Sequence, residues 1–249
     1  MSDSPLISVI TAVYNGARHL ERAIESVALQ DFDGVEHVVI DGGSTDGSVD
    51  IARKYEDRLG YYVSELDEGI ADAFNKGIAA SRGKVILFLG ADDCLHDDTV
   101  MSRVAEEMSR MKAPYFFYGD VNYVYEKSAK RIHRNYNFRK FCRYSCLPHQ
   151  AMFLDRSFFD KYGMFDTDYR IAMDYEHTAR FIRDIQPLHI DILVADMRRT
   201  GISTNQIQAH DEMDRARIQH GLASYPSIII SRMLLRAKMA VAGLTGVDW

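Results

Sequence analysis

The chain has 249 residues, 47% of them hydrophobic, which is enough for one large or two small soluble domains with a sizeable core. Its formal net charge of −6 argues against nucleic acid as the main partner, because phosphate backbones need a basic surface. We expect a cytoplasmic protein, since no signal peptide, no apolar run of roughly 20 residues and no Cys-x-x-Cys pair is visible.

The first hundred residues alternate between strand-like and helix-like patterns. Apolar, β-branched runs predict strands at 6–14, 35–41, 60–65 and 84–91. Apolar residues at helical spacing predict helices at 16–30, 44–57, 69–81 and 97–110. This alternation predicts an α/β fold with a mostly parallel sheet flanked by helices. In such sheets, ligands bind beyond the carboxyl ends of the strands.

The pattern changes near residue 111. Residues 115–136 are aromatic and alternating, as in an antiparallel hairpin or meander. Further on we predict a strand at 149–155, a helix at 173–185 and a late strand at 189–197. Because no linker rich in Pro, Gly or Ser is present, we expect a single domain. Its functional halves would be 1–110 and 111–215, and a helical tail, 216–249, would follow.

The tail is apolar and basic after Pro226. It could pack on the domain or in a homodimer interface. It could equally form an amphipathic helix that lies on an anionic membrane surface, which would make the protein peripheral at the inner face of the membrane. The sequence leaves both interpretations open.

Acidic side chains follow several of the predicted strands. Asp41 comes directly after the second strand, and Asp92 and Asp93 follow the fourth. Turns and helix caps are the ordinary use of such residues. Two adjacent carboxylates at the end of a buried strand, however, repel each other and lose solvation unless a positive charge lies beside them. The pair therefore suggests a metal site.

Five motifs follow one another along the chain in this order: "VVIDGGSTDGS", "DEGIADAFNKGI", "GKVILFLGADD", "PHQAMF" and "MDYEHTARF". This order resembles the family 2 glycosyltransferases of the GT-A fold, and the matching motifs span residues 7 to about 205. The resemblance implies a Rossmann-like sheet with a smaller antiparallel region on the acceptor side. It also implies an inverting transfer of sugar from a nucleotide donor, dependent on Mn²⁺ or Mg²⁺.

The resemblance implies a nucleotide pocket at the ends of the first two strands. Thr11, Ala12 and Tyr14 would line this pocket, and Tyr14 could stack on the base. Asp41 occupies the position that typically recognises the uracil ring, which favours a UDP-sugar as the donor.

Further residues would hold the rest of the donor. Asp67, Asn75 and Lys76 fall in the segment that borders the nucleotide and the diphosphate. Asp92 would bind the ribose, and Asp93 would bind the divalent metal.

Asp174 lies where the family keeps its general base, usually as the second acid of an acidic pair. Here Met173 precedes it, so the pair is broken, although Glu176 lies close by in the sequence. The alternative role for Asp174 is a carboxylate favoured by the dipole at the start of a helix.

Two other segments match the family. His149 and Gln150 fall near the donor sugar or the acceptor, and the alternative for His149 is a packed structural residue. Arg198, Arg199 and Ser203 match the late loop that closes over the diphosphate, and the alternative is a solvated loop.

The chemistry that the resemblance implies is consistent with these residues. A divalent metal on Asp93 would stabilise the leaving diphosphate, and Asp174 would remove the proton of the attacking acceptor hydroxyl. One base and no enzyme nucleophile imply inversion. Family analogy suggests a glycan or polyprenyl-linked acceptor in the assembly of a bacterial surface polysaccharide.

Two alternatives compete with this interpretation. A sugar-1-phosphate nucleotidyltransferase would need a Gly-rich basic loop after the first strand, but only Arg18 and His19 are available there. A non-catalytic sugar-nucleotide-binding module is supported only by the broken acidic pair at Met173.

Overall fold

Within the residues that the computed structural model describes, 4–125, 128–198, 206–230 and 232–233, nine strands form one mixed sheet. The strands are β1 (Ile7–Val13), β2 (Val35–Asp41), β3 (Tyr61–Ser64), β4 (Val85–Gly90), β5 (Cys94–Leu95), β6 (Phe116–Tyr125), β7 (Ser128–Ile132), β8 (Met152–Asp155) and β9 (Leu188–Arg198). The helices are α1 (Ala17–Ala28), α2 (Ser48–Lys54), α3 (Ile70–Ala80), α4 (Val100–Ser109), α5 (Phe138–Phe141), α6 (Ser157–Tyr162), α7 (Met173–Ala179) and α8 (Gln206–Gln219).

The order of the strands is β3-β2-β1-β4-β8-β6-β9-β5, and β7 pairs with β6 outside this path. The first four strands of this order, β3, β2, β1 and β4, are parallel to one another. The antiparallel pair of β4 and β8 then joins them to the rest of the sheet, where β6 is parallel to β9 and antiparallel to β7 and β8. The α/β fold with flanking helices is therefore confirmed, and its parallel part is the sheet of the first ninety residues.

Strand β1 is buried on both faces, as its β-branched composition predicts. Ile10 packs on one face with Phe74 of α3. Val9 packs on the opposite face with Leu87 of β4 and Val104 of α4. Because successive side chains of a strand point to opposite faces, one short strand supports two layers of helices.

Several elements were missed or misjudged at the level of sequence. The two-residue strand β5 and the short helices α5 and α6 were not predicted. The helix predicted at 173–185 ends at Ala179. Helix α8 was missed because its polar residues do not form a clear apolar stripe. The division into functional halves at residue 111 stays a prediction.

The predicted tail, 216–249, begins within α8, and the helical residues that follow pack against this helix. Residues 225–230 and 232–233 are helical, Ile228 is buried, and Arg232 binds Asp214 at 2.5 Å and Asp211 at 2.7 Å. The remainder of the tail lies outside the described residues. In the part of the chain that is described, no helix has the length and apolar character needed to cross a bilayer.

Close contact between α3 and β1 depends on Gly77. A methyl group at this position would lie 2.3 Å from Cγ2 of Ile10, which is fully buried. Alanine favours helices by about 1 kcal/mol over glycine, but overpacking a core costs about 1–3 kcal/mol. We therefore expect Gly77→Ala to lower the free energy of unfolding in urea, with Ala79→Gly as the control for helix propensity alone. A Gly77→Ala variant as stable as the native protein would show that α3 can move away from the sheet.

Candidate functional site

The carboxyl ends of β1, β2 and β4 meet at one edge of the sheet. Asp41 of β2 lies opposite Val13 of β1, and Gly90 of β4 lies opposite Ala12. Neighbouring strands are about 4.8 Å apart, so the backbones at Asp41 and Gly90 are separated by about 10 Å across β1. Asp41 ends β2, and Asp92 and Asp93 follow β4, so these acidic residues lie at the same edge of the sheet.

Asp41 is fully buried, yet only one of its oxygens is satisfied by the protein. Oδ2 accepts hydrogen bonds from the backbone N–H groups of Gly43 and Ser44, at 3.1 and 2.9 Å, and from the hydroxyl of Ser64 at 2.7 Å. Oδ1 has no hydrogen-bond partner among the described residues. Because an unpaired buried acceptor is costly, Oδ1 is available to a donor group of a ligand.

The loops after β1 and β2 are tied together by side chains. The backbone N–H of Asn15 donates to Oγ of Ser44 at 2.7 Å, and that of Thr45 donates to Oδ1 of Asn15 at 2.9 Å. The N–H of Ala17, in the first turn of α1, donates to Asp46 at 2.9 Å. These bonds hold the loop that follows Asp41 against the loop that follows β1.

The residues predicted at the end of β1 differ in exposure. Thr11 is fully buried, and its hydroxyl bonds to Nε2 of His37 at 3.0 Å, inside the sheet. Ala12 is half-buried, whereas Tyr14 is 68% exposed just beyond the strand. The aromatic face of Tyr14 is therefore accessible, while the side chain of Thr11 is engaged by the protein.

Asp67 lies against the turn that follows Asp41. A Cβ atom on Gly42 would lie 2.3 Å from Oδ2 of Asp67, so only glycine allows this approach. The other oxygen, Oδ1, accepts a hydrogen bond from the N–H of Gly69 at 2.9 Å. Asp67 thus lies beside the residue that follows Asp41, and its role towards a nucleotide stays a prediction.

Asn75 and Lys76 of α3 bind protein groups in this structure. The amide of Asn75 exchanges two 2.9 Å hydrogen bonds with the backbone of Phe165. The ammonium of Lys76 donates to the carbonyl of Leu66 at 2.9 Å and pairs with Glu65 at 2.8 Å. The hydrogen bond to Glu65 raises the pKa of Lys76. Their roles towards a donor stay predictions, and the structure gives both residues a part in holding the surrounding loops.

Asp93 is the most perturbed carboxyl group at the strand ends. It is 4% exposed, and burial, followed by the charge of Asp92, raises its pKa to about 7. Oδ1 accepts a hydrogen bond from the backbone N–H of Arg198, at the end of β9, at 2.9 Å. Hard oxygen ligands suit Mg²⁺ and Mn²⁺, and a cation here would offset both the burial and the repulsion. The residues present fit a divalent metal.

Basic groups surround this pair of carboxylates. Burial lowers the pKa of His19, as do the charges of Arg198 and Arg18, while Asp92 opposes them. The proximity of His19 to Asp92 and Arg198 was not predicted, because a histidine in the first turn of a helix carries no motif of its own. Arg199 and Ser203, which the resemblance assigns to the same loop as Arg198, lie outside the described residues.

Asp174 lies in the first turn of α7, half-buried and near His149. His149 is 8% exposed and stacks on Phe88 of β4 with 5.0 Å between ring centroids. Burial lowers the pKa of His149, and the charge of Asp174 opposes this. Nε2 of His149 has no hydrogen-bond partner within the described part of the chain. The stacked rings of His149 and Phe88 thus connect the surroundings of Asp174 to β4. Phe88 lies two residues before Gly90, the last residue of that strand.

Glu176 is held in buried ion pairs and so has a structural role. Its buried carboxylate pairs with Arg180 at 2.5 Å and with His220 at 2.8 Å. Burial works to raise the pKa of Glu176, but the hydrogen bonds from His220 and Arg180 outweigh it and lower the pKa. Met173 is buried in the core. Neither residue therefore supplies the second acid that the family pattern would place beside Asp174.

A separate group could also hold a metal ion. Oδ1 of Asp120 lies 3.0 Å from Nδ1 of His133 and 2.9 Å from Nε2 of His189, and these ligand atoms lie within 4.8 Å of one another. Arg131 pairs with the other oxygen of Asp120 at 2.6 Å. Since the guanidinium already balances the buried charge, this group differs from Asp93, where the nearest carboxylate adds repulsion.

Comparisons with known sequences agree with this geometry. The model of the family described as "Glycosyl transferase family 2" matches residues 8–163. A "PGL/p-HBAD biosynthesis glycosyltransferase" of Mycobacterium bovis (strain BCG / Pasteur 1173P2) is 29% identical, over 94% of this chain and 96% of the relative. An uncharacterized glycosyltransferase of Mycobacterium tuberculosis (strain CDC 1551 / Oshkosh) is 32% identical, over 83% of this chain and 80% of the relative.

Two solved structures share the fold. S. aureus TarS 1–349 in complex with UDP-GlcNAc superimposes with a TM-score of 0.69 and 17% identity, over 88% of this chain and 67% of that chain. The mannosyltransferase PcManGT from Pyrobaculum calidifontis, in complex with GDP-Man and Mn²⁺, superimposes with a TM-score of 0.63 and 18% identity, over 99% and 77%. At these identities the likeness demonstrates the GT-A architecture.

Proposed function

The chain belongs to glycosyl transferase family 2, and on that premise we propose that it moves a sugar from a UDP-sugar to a hydroxyl group of a lipid-linked or glycan acceptor, with inversion. The observation that carries the proposal is the adjacent pair of carboxylates Asp92 and Asp93 at the end of β4. One of them is buried and has a pKa raised to about 7. Such a pair suits the binding of a cation together with a polyanionic nucleotide.

The nucleobase would bind at the end of β2. The free oxygen of Asp41, Oδ1, can accept the N3–H of a uracil ring, and the exposed face of Tyr14 can stack on it. The side chain of Asp67, which lies against Gly42, borders the same pocket. These contacts favour a uridine nucleotide over one whose base carries an acceptor at the corresponding position.

Asp93 would hold a divalent cation, and Asp92 would bind the ribose. Mn²⁺ or Mg²⁺, when bound, supplies positive charge that stabilises the leaving diphosphate. The backbone N–H of Arg198 keeps the Asp93 carboxylate in place, and the charge of Arg198, which also acts on His19, favours an anion at this edge.

Asp174 would act on the acceptor. Its charge acts on the buried His149, which lies just before β8, the strand that pairs with β4. By accepting the proton of the acceptor hydroxyl as that oxygen attacks the anomeric carbon, Asp174 allows a single in-line displacement. A single displacement inverts the configuration of the sugar.

The name of the mycobacterial relative refers to PGL/p-HBAD biosynthesis, and we propose a lipid-linked acceptor at the inner face of the membrane. The exposed apolar side chains of Tyr225, Ile229, Ile230 and Met233 support peripheral contact with a membrane surface, whereas Arg232 is already paired with Asp211 and Asp214. Sedimentation with anionic vesicles tests this contact. A homodimer that leaves the vesicles unbound would favour the alternative interpretation of the tail.

The reaction can be tested with a panel of UDP-, GDP- and dTDP-sugars, each with Mn²⁺ or with EDTA, using octyl glycosides as acceptor probes. We expect nucleoside diphosphate release from a UDP-sugar, loss of this release on chelation, and a product of inverted anomeric configuration by NMR. Release from a GDP-sugar alone would overturn the choice of donor, and equal release in EDTA would overturn the role of the metal.

Replacing Asp41 with Asn gives a sharper test of the base pocket. The amide oxygen of Asn can still accept the bonds from Gly43, Ser44 and Ser64, which turns its NH₂ group towards the ligand. Two donors would then face each other at uracil N3, so we expect the affinity for UDP to fall at least about tenfold, or about 1.4 kcal/mol.

Calorimetric titration with UDP and CDP measures this effect. Because N3 of cytosine is an acceptor, CDP should lose much less affinity than UDP on Asp41→Asn, and the ratio of the two dissociation constants should shift. A uniform loss for both nucleotides would indicate a damaged loop, and an unchanged ratio would remove Asp41 from base recognition.

A further inference from the structure

Glu212 of α8 binds the segment that leads into α7. Its carboxylate accepts hydrogen bonds from three successive backbone N–H groups, those of Arg170 at 3.1 Å, Ile171 at 2.8 Å and Ala172 at 2.8 Å. The side chain of Gln208, one turn earlier on α8, donates to the same carboxylate at 2.9 Å. Glu212 is 8% exposed, so these contacts form in a largely buried environment where each bond contributes more than it would in water.

The segment held by Glu212 begins the helix that carries Asp174. Ala172 is the N-cap residue of α7, it offers no side-chain cap, and its carbonyl accepts the helical N–H of Glu176 at 2.9 Å. The carboxylate of Glu212 therefore satisfies the N–H of the N-cap residue, which in a capping box would be satisfied by a Glu or Gln at the third helical position, and it also holds the two residues that precede the cap. Asp174 lies two residues after Ala172, in the first turn of α7. The placement of residues 170–172 therefore determines the placement of Asp174.

The same segment also contacts the donor side. The guanidinium of Arg170 donates to the carbonyl of Glu68, in the loop between Asp67 and Gly69. One residue thus joins the backbone that Glu212 holds to the loop that borders the nucleotide pocket. A shift of this segment would move Asp174 relative to the donor.

Glu212 is well suited to hold the segment in its ionised form. Burial works to raise the pKa of Glu212, but the backbone N–H groups of Ala172 and Ile171 outweigh it and lower the pKa. A carboxylate that accepts several N–H bonds is a stronger acceptor than a neutral amide in the same place. The negative charge is thus part of the contact.

We propose that Glu212 is a positioning residue that sets Asp174 against the donor by fixing residues 170–172. The inference rests on the proposed function, because it assumes that Asp174 removes the proton of the acceptor. Misplacing a reacting group by about 1 Å can cost about 10²-fold in rate. The contacts described for Glu212 are all with protein groups, so its effect on the reaction would be exerted through Asp174.

The test compares Glu212→Gln with the native enzyme in nucleoside diphosphate release from the preferred donor of the panel, with an octyl glycoside as the acceptor probe. We expect kcat to fall about 10- to 100-fold, with little change in the dissociation constant for UDP. Hydrogen exchange should become faster at the amides of 170–172. Asp214→Asn is the matched control, because Asp214 is a buried acid of α8 that pairs with Arg217 and Arg232 and does not contact this segment.

A double-mutant cycle with Asp174→Asn separates the inference from the function on which it rests. If Glu212 acts through Asp174, Glu212→Gln should have almost no further effect on kcat once Asp174 is replaced. Fully additive losses, or an equal loss of kcat in Asp214→Asn, would overturn the positioning role. Native activity in the single variant Asp174→Asn would instead overturn the assignment of the base.

Discussion

Replacing Asp174 with Asn is expected to slow sugar transfer by about 10²- to 10⁴-fold, the usual contribution of a positioned general base. The amide keeps the size of the side chain but cannot accept the proton of the acceptor hydroxyl. Because Asp174, near His149, would act on the acceptor in the proposed function, the dissociation constant for UDP should stay almost unchanged. Steady-state kinetics and calorimetric titration of the same preparation measure the two quantities.

Asp168→Asn serves as the control for this variant. Asp168 precedes α7 by a few residues and is exposed, so loss of its charge tests for a general electrostatic effect. We expect Asp168→Asn to retain native kcat. A native rate in Asp174→Asn would mean that another group removes the proton, and lost donor binding would mean that Asp174 lies on the donor side.

Replacing Asp93 with Asn should lower transfer by at least about 10²-fold, since the charge that a metal supplies to a leaving group contributes several kcal/mol. The amide oxygen can still accept the hydrogen bond from the N–H of Arg198, so the strand end should keep its conformation. A weaker ligand should also raise the concentration of Mn²⁺ needed for half-maximal activity. Unchanged dependence on Mn²⁺ would move the metal away from Asp93.

The same substitution should stabilise the metal-free protein at high pH. The pKa of Asp93 rises from its ordinary value of 3.8 to about 7, so between these values the folded protein binds a proton that the unfolded chain lacks. The contribution of Asp93 to stability in EDTA is therefore greatest below pH 4 and falls as the pH rises towards 7. One pKa unit corresponds to about 1.4 kcal/mol, which gives a cost of a few kcal/mol at pH 8.

Urea unfolding in EDTA at pH 5 and pH 8 checks this prediction. The native protein should lose stability between the two values relative to Asp93→Asn, and the variant should be the more stable at pH 8. A variant that is less stable at both values would show that the carboxylate is not a burden on the folded state. The combination of lower activity with higher stability is typical of groups that serve a ligand.

Most of the parallel part of the fold was predictable because β1, β2 and β4 are buried on both faces and consist of nearly continuous apolar runs. Strand β1 and helix α3 came within a residue or two of their predicted limits. The rest depends on contacts between distant segments. Helix α8 has a polar composition whose buried members, such as Glu212 and Asp214, have partners that only the folded chain brings near.

The part of the candidate site that consists of acidic side chains at strand ends was predictable from the sequence. Asp41, Asp92 and Asp93 follow apolar strands, and parallel pairing brings those ends together. The contact between the N–H of Arg198 and Asp93 could not be predicted, since every backbone N–H looks alike in a sequence. The packing of His149 on Phe88 likewise depends on where β8 joins the sheet.

The cluster of rings that His149 forms with Phe74, Phe88 and Phe165 limits how this enzyme could be re-engineered. Densely packed aromatic side chains move little. They therefore keep a fixed distance between β4, which would carry the cation, and α7, which would carry the base. Trimming one of these buried phenyl groups would leave a cavity in the core and cost about 3–5 kcal/mol of stability.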